Sequence, residues 1–376
     1  MLKLGILGGG QLGRMLLQKA YDYPIKTLVL DKSNDMPAAP LTDTFVIGDF
    51  NKEADVLAFG RRCDVVTIEI EHVHVGALYQ LQKEGIKVFP QPEIIEMVQD
   101  KGLQKDFYAR HGFPTAPYVL VEQKADLAVH QDLFPVFQKK RKGGYDGKGV
   151  VALNGKNEDK AFDAPSVLEQ KADLAKELSI IVARNEAGQV ETFPLVELVY
   201  HPEANMVDYL MAPAEIEEKV AVEAKAQAEA LVEKLDLVGI LAIELFLNKD
   251  GSLWINEIAP RPHNSGHHTI EANLTSQYEQ HLRAILGYPL GKTTTLSPAA
   301  MVNLVGAEGH TGDAHYQGLA ECMALDGCKV HVYGKKTTKP FRKMGHVSLL
   351  GQQRAEVIQK VAKVKQGLQV VAKNQK

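Results

Sequence analysis

Over its first ninety residues the chain alternates short β-rich runs with helical stretches, which constrains its fold more than any other feature. The runs are LKLGIL, KTLVLD, TFVIG, DVVTIEIE and IKVFP, and helical patterns cover 11–22, 52–61 and 74–84. Strands alternating with helices predict a parallel sheet wound by right-handed crossovers, with ligands held beyond the carboxyl ends of the strands. The first strand runs into GILGGGQLGRM, where Gly8, Gly10 and Gly13 spell G-x-G-x-x-G. Asp31 falls where a ribose-binding acid would, so the dinucleotide fingerprint is complete on paper. A nicotinamide-dependent dehydrogenase would rest on this loop alone and leave the chemistry further along unexplained. Glu69 and Glu71, two apart in TIEIE, share one face of a strand end. They suit a sugar's hydroxyls or are solvated strand-end charges, and the spacing does not choose.

A second region opens at FPQPEIIEMVQDK, with Pro92 placed to start a helix. From 113 to 193 come short strands and turns: YVLVE, FPVFQKK, GVVAL, SVLEQ, ELSIIVAR and VETFPLVEL. They predict a smaller, strand-rich domain. An Ala-, Glu- and Lys-rich stretch over 213–237 predicts a long amphipathic helix. ILAIELFL and SLWINEIA, joined by NKDG, predict a hairpin. A helix over 275–286 and a β-rich region to about 350 follow, and the Lys-rich tail from 352 reads as a solvated surface helix.

Of 376 residues, 45% are hydrophobic and 24% charged, which describes a globular chain of two or three domains. A net charge of −4 gives no reason to invoke nucleic acid or a membrane surface. Cys63, Cys322 and Cys328 form no C-x-x-C pair, which fits a reducing compartment. No room precedes the first strand for a leader and no apolar run is long enough to span a bilayer, so a cytoplasmic location is expected.

The chemistry begins at KKRKGGYDGKGV, 139–150, where four cations lead into Gly143, Gly144, Gly147 and Gly149. Glycines let a backbone close over an anion and aim N–H groups at phosphate oxygens, while a lysine adds a point charge. The plainer alternative is a mobile basic loop; the P-loop pattern is absent. A triphosphate calls for a divalent cation, and the hairpin offers carboxylates. If Leu247 faces Ser252, Glu244 lies opposite Ile255 with Glu257 diagonally adjacent on the same face. A carboxylate inside the apolar ILAIELFL needs a partner, either a metal or a buried Lys or Arg. Asn256 adds a neutral oxygen. In APRPHNSGHH, Arg261 offers a fork for a carboxylate or carbonate, and His263 can move a proton near neutral pH. His263, His267 and His268 lack both the helical register and the cysteine company of a zinc site. YGKKTTKPFRKMGH carries Lys335, Lys336, Lys339, Arg342 and Lys343, either a solvated turn or half of a phosphate grip.

With QDK, MVNLVG and TSQYEQHLRAILGYPL added, these motifs in this order resemble the 5-(carboxyamino)imidazole ribonucleotide synthases, ATP-grasp enzymes of purine biosynthesis, from about residue 3 to about 350. The resemblance implies an α/β chain: a Rossmann-like preATP-grasp domain over 1–100, a small α+β lid over 101–178 and a larger C-terminal α+β domain over 179–376. It implies a homodimer that couples ATP hydrolysis to joining bicarbonate with the amine of 5-aminoimidazole ribonucleotide. ATP would contact Lys101, Lys139, the loop Gly144, Tyr145, Asp146, Gly147, Lys148, Gly149 and Val150, then Glu169, Gln170, Glu177, Asn256 and Glu257. Glu244 and Glu257 would hold Mg2+. Arg261, His263 and Asn264 would hold bicarbonate and then carboxyphosphate, with Asp146 orienting the amine or taking its proton. The ribonucleotide would lie on Gln11 and Leu12, its monophosphate cradled by the opening glycine loop, with Glu71, Tyr145, Asp146, Lys335 and Arg342 around it. Relatives often carry His at the position of Tyr200, which His201 follows here. A formate-using glycinamide ribonucleotide ligase and a non-catalytic nucleotide sensor are the rival readings.

Overall fold

The computed structural model describes residues 1–144, 149–200 and 207–373. The alternating pattern of the first ninety residues becomes β1 (Leu2–Leu7), α1 (Gln11–Ala20), β2 (Ile25–Asp31), β3 (Thr44–Ile47), α2 (Glu53–Gly60), β4 (Val65–Ile68), α3 (Val75–Lys83) and β5 (Lys87–Val88). The strands form a sheet in the order β3-β2-β1-β4-β5, parallel throughout. Successive side chains leave opposite faces of a strand, so two cores form from one sheet. Leu4, Ile6 and Val29 pack with Met15 and Leu16 of α1, while Leu7, Leu28, Leu30 and Ile68 pack with Phe59 of α2 and Leu78 of α3.

Two helices, α4 (Pro92–Val98) and α5 (Lys101–His111), lead into β6 (Tyr118–Val121), β7 (Val136–Lys140), β8 (Val150–Leu153) and β9 (Ser166–Gln170). These strands pair antiparallel in the order β6-β9-β7-β8. The strand-rich stretch does not stay in this one unit. From β10 (Leu174–Arg184) the chain enters a second sheet with β11 (Val190–Thr192), β12 (Val196–Tyr200) and β13 (Val207–Ala212). VETFPLVEL is broken in two at Pro194, which has no N–H to give a ladder.

After α6 (Glu218–Lys234), β14 (Gly239–Asn248) and β15 (Leu253–Ala259) form the hairpin, followed by α7 (Thr269–Ala272) and α8 (Gln277–Ile285). The remaining elements are β16 (Ala299–Val305), β17 (Gly312–Gln317), α9 (Leu319–Met323), β18 (Cys328–Val332), β19 (Thr337–Thr338), β20 (Lys343–Leu350), α10 (Arg354–Gly367) and β21 (Gln369–Ala372). The large antiparallel sheet runs β15-β14-β10-β12-β13-β16-β20-β18, with β11 on the flank of β10. The lysine-rich tail is helical but not simply solvated. Val357, Val361 and Val364 recur at helical spacing on α10 and bury against Val302, Val347 and Leu349. Tyr278, Leu282 and Ile285 of α8 join the first sheet's core, which locks that sheet to the large one. Leu282 is fully buried, so truncating it to Ala costs about 2–5 kcal/mol. Among the described residues no helix is long and apolar enough to cross a membrane.

Candidate functional site

The hairpin carboxylates meet more closely than the sequence predicts. Leu247 pairs with Leu253 rather than Ser252, and an irregularity beyond Leu245–Ile255 inserts Asn256 as an extra residue. Glu257 therefore stands directly opposite Glu244 instead of diagonally from it. The bulge also turns Asn256 toward the same place: its Nδ2 donates to Glu244 Oε2 at 3.4 Å and its Oδ1 accepts from Lys139 Nζ at 2.8 Å. Burial, then the charges of Glu257 and Glu177, push the Glu244 carboxyl up to about 7. Among the described residues no lysine or arginine pairs with Glu244. Burial raises Glu257 as well, but its ion pair with Lys101 holds it below the usual carboxylate range. Its side chain keeps 45% of its exposure and so lines an open cleft.

Local sequence aims the cations. Asp100 is the N-cap of α5: its carboxylate accepts from the N–H groups of Gly102 (2.9 Å) and Leu103 (3.4 Å) and takes a fork from Arg141 at 2.8 and 3.0 Å. Lys101, the first residue of the helix, is thereby pointed at the hairpin. Lys139, on β7, lies 2.7 Å from Glu169 on β9, and Glu169 is 3% exposed. Burial opposes both charges, yet their pairing raises Lys139 and lowers Glu169. Gln170 ends β9 exposed to solvent. On β10, burial raises the half-buried Glu177, which accepts a hydrogen bond from Tyr200. Burial, then Glu244 and Glu177, raise the Tyr200 hydroxyl, so Tyr200 faces the carboxylates while His201 lies outside the described residues. Gly144 closes the described part of the glycine loop, and Gly149 (φ +81°) resumes it before Val150 opens β8. Tyr145, Asp146, Gly147 and Lys148 lie outside the described residues.

Beyond the hairpin, Arg261 reaches the first sheet. Its Nε is 2.8 Å from Glu71 Oε1. His263 Nε2 is 3.8 Å from Glu244 Oε1, and its Nδ1 accepts from the Ser265 N–H at 3.3 Å. A backbone N–H can only donate, so Nδ1 carries the lone pair and Nε2 the hydrogen facing Glu244. The Ser265 hydroxyl contacts that Nδ1 at 2.9 Å and the buried Ser179 hydroxyl at 2.8 Å. Asn264 Nδ2 donates to Asn303 at 3.1 Å, and its buried Oδ1 has no partner among the described residues. The residues expected at bicarbonate and at the metal thus share one cleft with Glu71.

The opening loop departs from expectation. Glu69 fills it: Oε1 accepts from Gly10 N–H (2.9 Å) and Oε2 from Gly13 N–H (2.8 Å), while Asp31 accepts from Gly9 N–H (2.6 Å). The amides expected to cradle a monophosphate already hold two internal carboxylates. A Cβ at Gly10 would stand 2.6 Å from Glu69 Oε1, and one at Gly8 (φ +101°) 2.5 Å from Glu69 Cγ, so these glycines make room for the acid. Gln11 and Leu12 begin α1 just beyond. The basic segment comes to the same end of α1: Gly334 abuts Arg14, and Lys336 pairs with Asp35 at 2.5 Å. Lys335 Nζ donates to the Lys343 carbonyl and Arg342 Nη1 to the Thr337 carbonyl, which shapes the segment. Sequence reasoning missed Lys105, Thr115, Ser179, Ser265 and Arg14. Arg14 and Ser265 lie inside the glycine-loop and APRPHNSGHH stretches without being singled out, and Lys105, Thr115 and Ser179 sit in no motif; only burial or pairing across the chain marks them.

Three family descriptions match in succession: the ribonucleotide synthetase preATP-grasp domain over residues 1–99, the ATP-grasp domain over 106–278 and the phosphoribosylaminoimidazole carboxylase C-terminal domain over 299–360. Fold and site together define an ATP-grasp enzyme, an ATP-dependent ligase. The solved N5-carboxyaminoimidazole ribonucleotide synthetase of Thermotoga maritima is similar with a TM-score of 0.93 and 41% identity, covering 99% of this chain and 100% of that one. The N5-carboxyaminoimidazole ribonucleotide synthase of Bacillus subtilis is 36% identical over 95% of this chain and 94% of its own length. The chain belongs to the N5-carboxyaminoimidazole ribonucleotide synthase family. The phosphoribosylaminoimidazole carboxylase of Saccharomyces cerevisiae is 38% identical over 95% of this chain, which spans 65% of that relative's length.

Proposed function

We propose that this protein joins bicarbonate to the amine of 5-aminoimidazole ribonucleotide with hydrolysis of ATP, yielding N5-carboxyaminoimidazole ribonucleotide, ADP and phosphate. The observation that carries the reading is that one short turn sets Arg261 against Glu71 and His263 3.8 Å from Glu244, beside the facing pair Glu244 and Glu257. A family structure from Aspergillus clavatus, 32% identical with a TM-score of 0.89, holds ADP and the aminoimidazole ribonucleotide together.

Two carboxylates face to face, one pushed to about 7 and unpaired by lysine or arginine among the described residues, fit a divalent cation. Glu244 and Glu257, with Asn256 Oδ1 beside them, would hold Mg2+. When bound, it offsets the triphosphate's charge and polarises the transferring phosphoryl group. Lys101 and Lys139 steady the phosphates, and the loop Gly144 to Val150 binds them. Glu169, Gln170 and Glu177 bind the rest of the nucleotide. Arg261, whose guanidinium fork matches a planar carbonate, holds bicarbonate with Asn264. His263 presents Nε2–H to the oxygen that gains charge as carboxyphosphate forms. Carboxyphosphate then releases carbon dioxide beside the amine. Gln11, Leu12, Glu71, Tyr145, Asp146, Lys335 and Arg342 hold the ribonucleotide, and Asp146 takes the amine's proton. Because Glu69 and Asp31 occupy the glycine amides, the monophosphate rests on the basic segment rather than in that loop. We further propose a cytoplasmic homodimer, the state the family resemblance implies.

Phosphate release is measured with ATP, Mg2+, bicarbonate and the aminoimidazole ribonucleotide, omitting each in turn. Release should require all four and ignore formate. Release that persists without bicarbonate, or that follows formate, overturns the proposal.

A further inference from the structure

Lys105 carries a charge where a helix lysine would ordinarily reach solvent. It sits on α5 with its side chain 3% exposed. Its Nζ lies 3.3 Å from Glu169 Oε1 and donates to the Thr115 hydroxyl at 2.5 Å. Thr115 in turn donates to the Ile255 carbonyl of the hairpin at 2.7 Å. The other Glu169 oxygen holds Lys139 at 2.7 Å, and Lys139 donates to Asn256 at 2.8 Å. A single run of contacts thus joins α5, the lid strands β9 and β7, and β15.

Charge balance alone does not explain this. Lys139 already neutralises Glu169, and burying a second ammonium is costly; an apolar side chain of like volume would hold the fold as well. A second cation does accomplish something else. Gripped at both oxygens, the Glu169 carboxylate cannot rotate, and Lys139 is held facing the hairpin. Burial draws Lys105 down to about 8, so the group keeps its proton near neutral pH while remaining sensitive to its surroundings. We propose that Lys105 is a positioning residue for the nucleotide, acting through Glu169 on the aim of Lys139. The inference rests on the reading that ATP lies over Lys139.

The test compares wild type, Lys105→Met, Glu169→Gln and the double variant. Lys105→Met should raise KM for ATP about tenfold, the scale of one hydrogen bond to a charged group, and leave KM for the ribonucleotide within about twofold. In the Glu169→Gln background it should add less than about twofold, because residues acting in series are not additive. Should Lys105→Met fail to fold, Lys105→Gln, which keeps a donor for Thr115, must give the same split. Calorimetric ADP affinity on the same proteins should weaken in parallel, and it does not require carboxylation. Wild type that binds ADP in this pattern but ignores the ribonucleotide would sink the proposed reaction alone. An active wild type with unchanged KM for ATP in the Met or Gln variant, equal effects on both substrates, or additive losses in the double variant would overturn the positioning role.

Discussion

Replacing Asp100 separates what its shape does from what its charge does. Its carboxylate caps α5 and is forked by Arg141, while the Lys101 N–H donates to the Arg141 carbonyl at 2.9 Å. Asp100→Ala removes the cap, about 1 kcal/mol, and the charged fork, about 1.5–3 kcal/mol. Arg141 keeps 22% of its side-chain exposure, so solvent screening places the fork near its lower bound. The sum is about 2.5–3 kcal/mol. Asp100→Asn caps as well as Asp but carries no charge, and should lose only about 1.5 kcal/mol. Urea midpoints for the three proteins, with hydrogen exchange at Gly102 and Leu103, give the comparison. Burial alone would raise the Asp100 carboxyl, but Arg141 and the capped amides hold it below its ordinary value. A depressed carboxyl contributes stability above its unfolded value, about 3.9, and loses it as pH falls through the folded one. The gap between wild type and Asn should therefore close below about pH 4. Equal losses for Asn and Ala, or a gap that persists in acid, would refute the division into cap and charge.

Glu244→Gln should abolish turnover and leave the unfolding free energy measured in urea within about 1 kcal/mol of wild type, since its buried charge is opposed by burial and by Glu257. Because Glu244 ionises only as pH passes about 7, Mg2+ affinity measured by calorimetry should tighten through that pH in wild type and stay flat in Gln. Glu69→Gln can accept from only one of the Gly10 and Gly13 amides, so it should lose about 1–3 kcal/mol in urea unfolding without gaining affinity for a dinucleotide.

Much of the fold was legible because period and punctuation are local properties. LKLGIL and SVLEQ are β1 and β9 residue for residue, and the helices at 11–22, 52–61 and 74–84 differ from α1, α2 and α3 only at their ends. The candidate site was legible as residue types in order: paired carboxylates, a stiff Arg-Pro-His-Asn turn, a glycine loop between strands. Its geometry was not. A turn sequence such as NKDG does not announce a bulge at Asn256, and that bulge decides which residue Glu257 faces. Nor does G-x-G-x-x-G say what fills it; Glu69 lies 59 residues from Gly10 and reaches it only when β4 lies beside β1.

The amino-acid order by itself determined the elements and the chemical groups, because hydrophobic period, capping residues and turn chemistry act over a few neighbours. Folding across long separations decided which groups meet: Arg261 with Glu71, Lys139 with Asn256, Lys105 with Glu169. Such pairs depend on sheet order and on how α8 seats one sheet against another, and in a buried site a shift of one residue in register is enough to separate a carboxylate from its partner.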